Sequence, residues 1–153
     1  MKLGWDLDGT ICDADWGWLD RLRDRYGVGE DWPKDEEEKY YACREKVIDP
    51  YRFMGLWDEA VILTGRPAHL ESITKKWLIK NGLGEIPLVF TKTLKGTPTA
   101  TKEEFKALGE GKAKFFLEEG IKVYFDDNEQ VVEAMRAAFP DMVVIHTGWH
   151  VAW

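Results

Sequence analysis

Ala60-Val61-Ile62-Leu63 is a run of apolar residues with no polar interruption, stopped by Thr64-Gly65-Arg66-Pro67. A strand with one wet face alternates polar and apolar side chains. A short continuous run therefore predicts a strand buried on both faces, the kind that parallel sheets use. Pro67 is suited to the first turn of a helix, and Leu70, Ile73, Trp77 and Leu78 recur at helical spacing before Asn81-Gly82 closes the segment.

The same strand-then-helix unit repeats along the chain. Lys2 to Leu7, Leu88 to Phe90, Ile121 to Phe125 and Met142 to Ile145 read as further strands. Between them, Trp18, Leu19, Leu22 and Tyr26 mark a helix from about Asp15 to Tyr26. A second helix opens with the acidic run Asp35 to Glu38, carries Tyr40, Cys43 and Val47, and is broken at Asp49-Pro50. Residues Thr91 to Gly111, rich in Thr, Gly, Lys and Pro, predict an active-site loop holding one short helix at the capping box Thr101-Lys102-Glu103-Glu104. A helix from about Lys112 to Glu119 and another through Val131, Val132, Met135 and Phe139 complete the pattern. This alternation predicts an α/β fold, a three-layer α/β/α doubly wound parallel sheet with right-handed crossovers. The interval of about 13–58 is a small helical insertion within a single domain spanning 1–153, and it leaves room for at most a small cap.

Three of these strands end in chemistry. Asp6 and Asp8, at positions i and i+2, project to one side of the first strand's end, where Gly9 permits a sharp turn and Thr10 adds a hydroxyl. Thr64-Gly65-Arg66 ends another, and Asp126-Asp127 a third. Taken alone, Asp-Leu-Asp-Gly fits a polar turn equally well. In a parallel sheet, however, all three ends lie on one edge, where such sheets bind ligands. Carboxylates gathered there repel one another unless a cation is present, and an all-oxygen cluster suits magnesium, which shares its ligands with phosphate.

These motifs, in this order, resemble those of the haloacid dehalogenase superfamily of phosphohydrolases: Asp6-Leu7-Asp8-Gly9-Thr10, Thr64, a lysine before the fourth strand, and Asp126-Asp127. The resemblance implies a magnesium-dependent phosphatase that hydrolyses a phosphomonoester through an aspartyl-phosphate. Asp6 would be the nucleophile. Asp8 would protonate the leaving oxygen, later activate water, and give its backbone carbonyl to Mg2+. Thr64 and the Gly65 amide would bind phosphoryl oxygens, and Gly9, Thr10 and Arg66 would complete the substrate site. Asp126 and Asp127 would join Asp6 and Asp8 around the metal. Lys112, Lys114 and Lys102 all lie near enough to be the phosphate-neutralising lysine. Lys112 is favoured because the first turn of a helix after a strand sits on the active-site edge.

Arg66-Pro67 and the Asp126-Asp127-Asn128 segment with Val131, Val132 and Arg136 also look similar to the phosphatase domain of polynucleotide kinase-phosphatases. On that alternative the substrate is a nucleic-acid end, the reaction that of a polynucleotide 3′-phosphatase. Arg66 would contact a second phosphate, and an exposed Trp16 or Trp32 would stack a base. Otherwise the substrate is a nucleotide or another small phosphate ester. The net charge of −7 argues against a protein that coats nucleic-acid backbones. A non-catalytic phosphate-binding or interaction module is the remaining class, hinted at by eight tryptophans and the Gly148 to Trp153 segment, but both aspartates of the first motif are present.

No stretch has the length and apolarity of a membrane span, and Cys12 and Cys43 have no metal-ligand spacing. The expectation is a cytoplasmic protein with reduced thiols, monomeric or homodimeric, whose partner is its phosphorylated substrate and not a membrane. His146 and His150 alternate as a metal pair would, although a packing role is the simpler reading.

Overall fold

The structure, a computed structural model, describes residues 1–27, 31–91 and 102–148. Its centre is a five-stranded parallel sheet in the order β3-β2-β1-β4-β5, with β1 Lys2–Trp5, β2 Glu59–Thr64, β3 Leu88–Phe90, β4 Ile121–Asp126 and β5 Val143–His146. The order reverses between β2 and β4 on either side of β1. That places the switch point of the sheet beside the Asp6 to Thr10 turn.

The uninterrupted apolar runs are explained by two buried faces. On one side Leu3, Trp5, Leu7 and Ile62 pack with Trp77 and Leu78 of α3, Glu71–Lys80. On the other, Val61, Leu63 and Tyr124 pack with Phe116 of α4, Lys102–Glu119, and with Val131, Val132 and Met135 of α5, Glu129–Ala138. Trp5 and Phe125 are register partners on adjacent strands, and their rings stack with centroids 3.9 Å apart. Such a ring pair adds about 1 kcal/mol beyond the area it buries.

Between β1 and β2 the chain forms α1, Trp16–Tyr26, and α2, Lys34–Ala42. Leu22, Trp32, Tyr40 and Tyr41 make a third apolar cluster with Leu70, so these helices sit over the start of α3 at the strand-end edge of the sheet. Asp15 caps α1 by accepting from the Trp18 amide at 2.9 Å.

The structure revises several sequence expectations. The second helix ends at Ala42 and does not continue to Val47. Instead the Val47 amide donates to the Ile11 carbonyl and Lys46 bridges to Cys12, so pairing with the first-motif turn overrides local helix preference. Residues 102–111, expected in a loop with one short helix starting near Thr101, belong instead to the long helix α4. Glycine inside a helix costs about 1 kcal/mol relative to alanine, which is why Gly109-Glu110-Gly111 reads as a break. Here the missing side chain is used: a Cβ on Gly109 would stand 2.8 Å from the Ala134 Cβ and 2.9 Å from the Val131 carbonyl oxygen. Residues 92–101 of the expected loop lie outside the described residues, as do His150, Trp149 and Trp153. Trp32, expected to be exposed, is only 7% accessible and donates its indole N–H to the Gly27 carbonyl. Among the described residues, no helix is long and apolar enough to cross a membrane.

Candidate active site

β1 delivers Asp6 and β4 delivers Asp126 to neighbouring positions, because the two strands are paired and end together. The Asp6 amide extends the ladder by donating to the Phe125 carbonyl at 2.9 Å. Asp6, Asp126 and Asp127 each offer a carboxylate oxygen, and those oxygens lie within 4.8 Å of one another. Gly9 is required beneath them. Its φ of +82° is in the left-handed region, and a Cβ there would come 2.3 Å from the Asp127 Oδ2. The Thr10 hydroxyl lies 3.3 Å from Asp6 Oδ2 and 3.4 Å from Asp127 Oδ1.

Lys112 bridges two of the acids, donating to Asp6 Oδ1 at 2.6 Å and to Asp126 Oδ2 at 3.0 Å. It comes from the middle of α4 rather than from a first turn; Lys102 at the helix start and Lys114 are exposed. Burial would lower the Lys112 pKa, but Asp126 and Asp6 outweigh it and hold the ammonium firmly protonated. Asp6 is pushed up, by burial first and then by the charge of Asp126. Asp126 is raised for the same first reason, despite Lys112. It also accepts from the Tyr124 hydroxyl at 3.2 Å and the Asn128 amide at 3.0 Å. Asn128 in turn caps α5, accepting from the Gln130 and Val131 amides.

Asp8 lies outside this cluster. Both its oxygens are held by Arg66, whose Nε is 2.9 Å from Oδ2 and whose Nη2 is 2.7 Å from Oδ1. Burial would raise the Asp8 pKa, yet the Arg66 charge and hydrogen bonds prevail and hold it below the usual carboxylate range. Arg66 is fixed in turn by the Thr74 hydroxyl, which accepts from Nη1 at 3.0 Å, and by the Tyr41 ring beneath its guanidinium. Its side chain is 1% exposed. The expected contact between Arg66 and a second substrate phosphate is therefore replaced by a buried ion pair with Asp8.

Thr64 ends β2 almost fully buried, its hydroxyl accepting from the Arg66 amide at 3.2 Å. Gly65 and Arg66 line a pocket of about 90 Å³ together with Asp6, Asp8, Lys112, Asp126 and Asp127. Its other wall is apolar, built from Trp16, Leu19, Tyr40, Tyr41, Phe105 and Leu108. Tyr40 reads in sequence only as a helix position, and Tyr41 carries no signal of its own. Their role depends on how the insertion folds over the sheet edge, and no local signal carries that. The His146 Nε2 lies 2.9 Å from the Asp127 backbone carbonyl oxygen.

The chain matches no protein-family model and no curated protein. It does share its fold with a chain of a solved structure described as the Pnkp1/Rnl/Hen1 RNA repair complex, at a TM-score of 0.57 and 20% identity. The match takes in 95% of this chain and 42% of that one, so this chain spans less than half of its neighbour's length. At this identity the likeness concerns the fold.

The pocket contains its own charge imbalance. Among the described residues that line it, four carboxylates (Asp6, Asp8, Asp126 and Asp127) face two cations, Arg66 and Lys112, so with all four acids ionised the excess equals the charge of one divalent cation. All-oxygen donors suit a hard ion such as Mg2+. The residues present thus fit such an ion.

Proposed function

We propose that the protein is a Mg2+-dependent phosphoric monoester hydrolase of the haloacid dehalogenase type. The observation that carries this reading is the convergence of Asp6, Asp126, Asp127 and Lys112 at the switch point of a parallel sheet. Asp6, Asp126 and Asp127 would hold the ion by carboxylate oxygens and Asp8 by its backbone carbonyl. The ion would supply charge neutralisation for the nucleophile and the phosphoryl group.

The protein's own residues supply the remaining chemistry. Asp6 attacks phosphorus, the ester oxygen leaves with its bonding pair, and an aspartyl-phosphate forms. The Lys112 ammonium, already beside Asp6, offsets the charge developing on the phosphoryl oxygens. Gly65 borders the same space, and the buried Thr64 hydroxyl stands behind it, accepting from the Arg66 amide. In the second half, Asp8 takes a proton from the water that attacks the aspartyl-phosphate. Arg66 suits Asp8 to that role by keeping it ionised. Protonating the leaving oxygen in the first half falls to the same carboxyl, which would carry its proton beside the Arg66 guanidinium.

A nucleic-acid end as substrate is a second reading, supported by the fold shared with a chain of an RNA repair complex. The loss of Arg66 as a phosphate contact weakens it. The test is hydrolysis of a panel of phosphomonoesters, including nucleotides and 3′- and 5′-phosphorylated oligonucleotides, with Mg2+ or with chelator. Activity should require Mg2+ and vanish in Asp6→Asn. Full activity in chelator, or in Asp6→Asn, would overturn the mechanism.

A further inference from the structure

Resting on that phosphatase reading, we propose that the pocket selects phosphomonoesters whose alcohol carries a flat, uncharged ring system, and that Trp16 is the residue that determines this specificity.

The first observation is the cation inventory. Arg66 and Lys112 are the cations among the described pocket residues, and carboxylates already hold both. A second phosphate or a carboxylate on the alcohol side would enter without a counter-charge. Substrates of that kind are disfavoured by desolvation alone.

The second is the wall itself. Beyond the phosphate end, the lining is Trp16 and Leu19 from α1, Tyr40 from α2, Phe105 and Leu108 from α4, and Val131 from α5. Two acceptors nearby are already engaged: the Tyr40 hydroxyl accepts from the Asp15 amide at 3.1 Å, and the Asn128 side-chain oxygen caps α5. A hydroxyl-rich alcohol would lose water there and find few partners, whereas an apolar ring would lose nothing.

The third concerns which ring is available. Tyr40 meets Trp18 and Tyr41 edge-on and carries Arg44 on its face, and Tyr41 lies under Arg66. Among the described residues, no aromatic ring or cation stacks on Trp16, which lines the pocket and is 44% exposed. A large planar side chain that lines a pocket and keeps nearly half of its surface exposed can serve as a stacking platform. Asp15 fixes it in place by capping the helix that Trp16 begins.

A matched pair of esters isolates the ring. Adenosine 5′-monophosphate and ribose 5-phosphate present the same primary phosphate and differ by the base. With Mg2+ present, kcat/KM should favour the nucleotide by about tenfold or more, mostly through KM, as expected for one stacked base. Trp16→Ala should bring the ratio close to unity, and Trp16→Phe should keep most of it. Binding of both esters to Asp6→Asn, followed by calorimetry, should show the same preference without turnover. A 5′-phosphorylated dinucleotide in parallel tells whether the ring arrives on a free nucleotide or at a strand end. Equal kcat/KM for the pair, with Trp16→Ala no different, would overturn the assignment and leave the phosphatase reading intact. Absence of turnover for every ester would overturn the phosphatase reading. In that case a calorimetric preference lost in Trp16→Ala still supports ring recognition, and no preference overturns it.

Discussion

Arg66 grips both carboxylate oxygens of Asp8, at 2.9 and 2.7 Å, from a position that solvent barely reaches. The two residues come from different strand ends, so the ion pair ties the first-motif turn to the exit of β2. Removing one partner leaves a buried charge uncompensated.

Asp8→Ala should therefore destabilise the protein by about 3 kcal/mol, since Arg66 stays charged and buried without its partner. The pH dependence follows from the direction of the Asp8 shift. A carboxyl held below its unfolded value contributes stability above that value, and the contribution is lost as pH falls through the folded pKa. Denaturant titrations should show wild type losing part of its advantage over Asp8→Ala in acid. An unchanged difference from neutral pH to about pH 3 would contradict this.

Asp6 and Asp126 lie on the other side of the ledger, because burial raises both. Groups with raised pKa stabilise the fold below the unfolded value and lose that contribution as pH rises through the folded one. The metal-free protein should thus be strained by its own acids near neutrality. Added Mg2+ should raise Tm more near neutral pH than at about pH 5, where protons compete for the same oxygens. Asp127→Asn should shrink the rise. A shift independent of pH and of Asp127 would place any bound ion elsewhere.

The three lysines separate cleanly by geometry. Lys112→Ala should cost about 3 kcal/mol in kcat/KM, the scale of deleting one preorganised charge-stabilising donor. Lys114→Ala and Lys102→Ala, both at exposed positions, should be nearly silent. Steady-state kinetics on the three variants decide it, and a large loss at Lys114 would move the role there.

Gly109→Ala sets two effects against each other. Alanine improves helix propensity by about 1 kcal/mol. Its Cβ, however, would press on the Ala134 Cβ at 2.8 Å and the Val131 carbonyl oxygen at 2.9 Å, and backbone cannot yield as a side chain can. Overpacking of this kind costs about 1–3 kcal/mol, so the net should be destabilising. Chemical denaturation measures it, and a stabilised variant would show that α4 and α5 separate freely.

Much of this site is legible in sequence because parallel strands buried on both faces must be apolar until they end. Asp6, Thr64 and Asp126 stand out for that reason, and the sheet then brings them together. The partner of Arg66 is not legible, since Asp8 and Thr74 reach it through the tertiary fold. Nor is the length of α4, where glycines that look like a helix break serve close packing on α5. An expected helix start points to Lys112, whereas the structure brings it to Asp6 from the interior of a longer helix. Tyr40 has a helical position but no mark of a pocket wall, and Tyr41 beside it has no signal of its own, because that role depends on where the insertion docks.

The close approach at Gly109 has a consequence for how this chain tolerates changes in length. Each residue of an α-helix turns the next by about 100°, so inserting or deleting one residue between Gly109 and Lys112 would swing the ammonium away from Asp6. The helix is clamped at Gly109, one turn before the lysine, and its rotational setting is fixed there rather than at its beginning. Residues added ahead of Lys102 leave that setting untouched. Length variation should be accepted ahead of Lys102 and rejected between the clamp and the lysine.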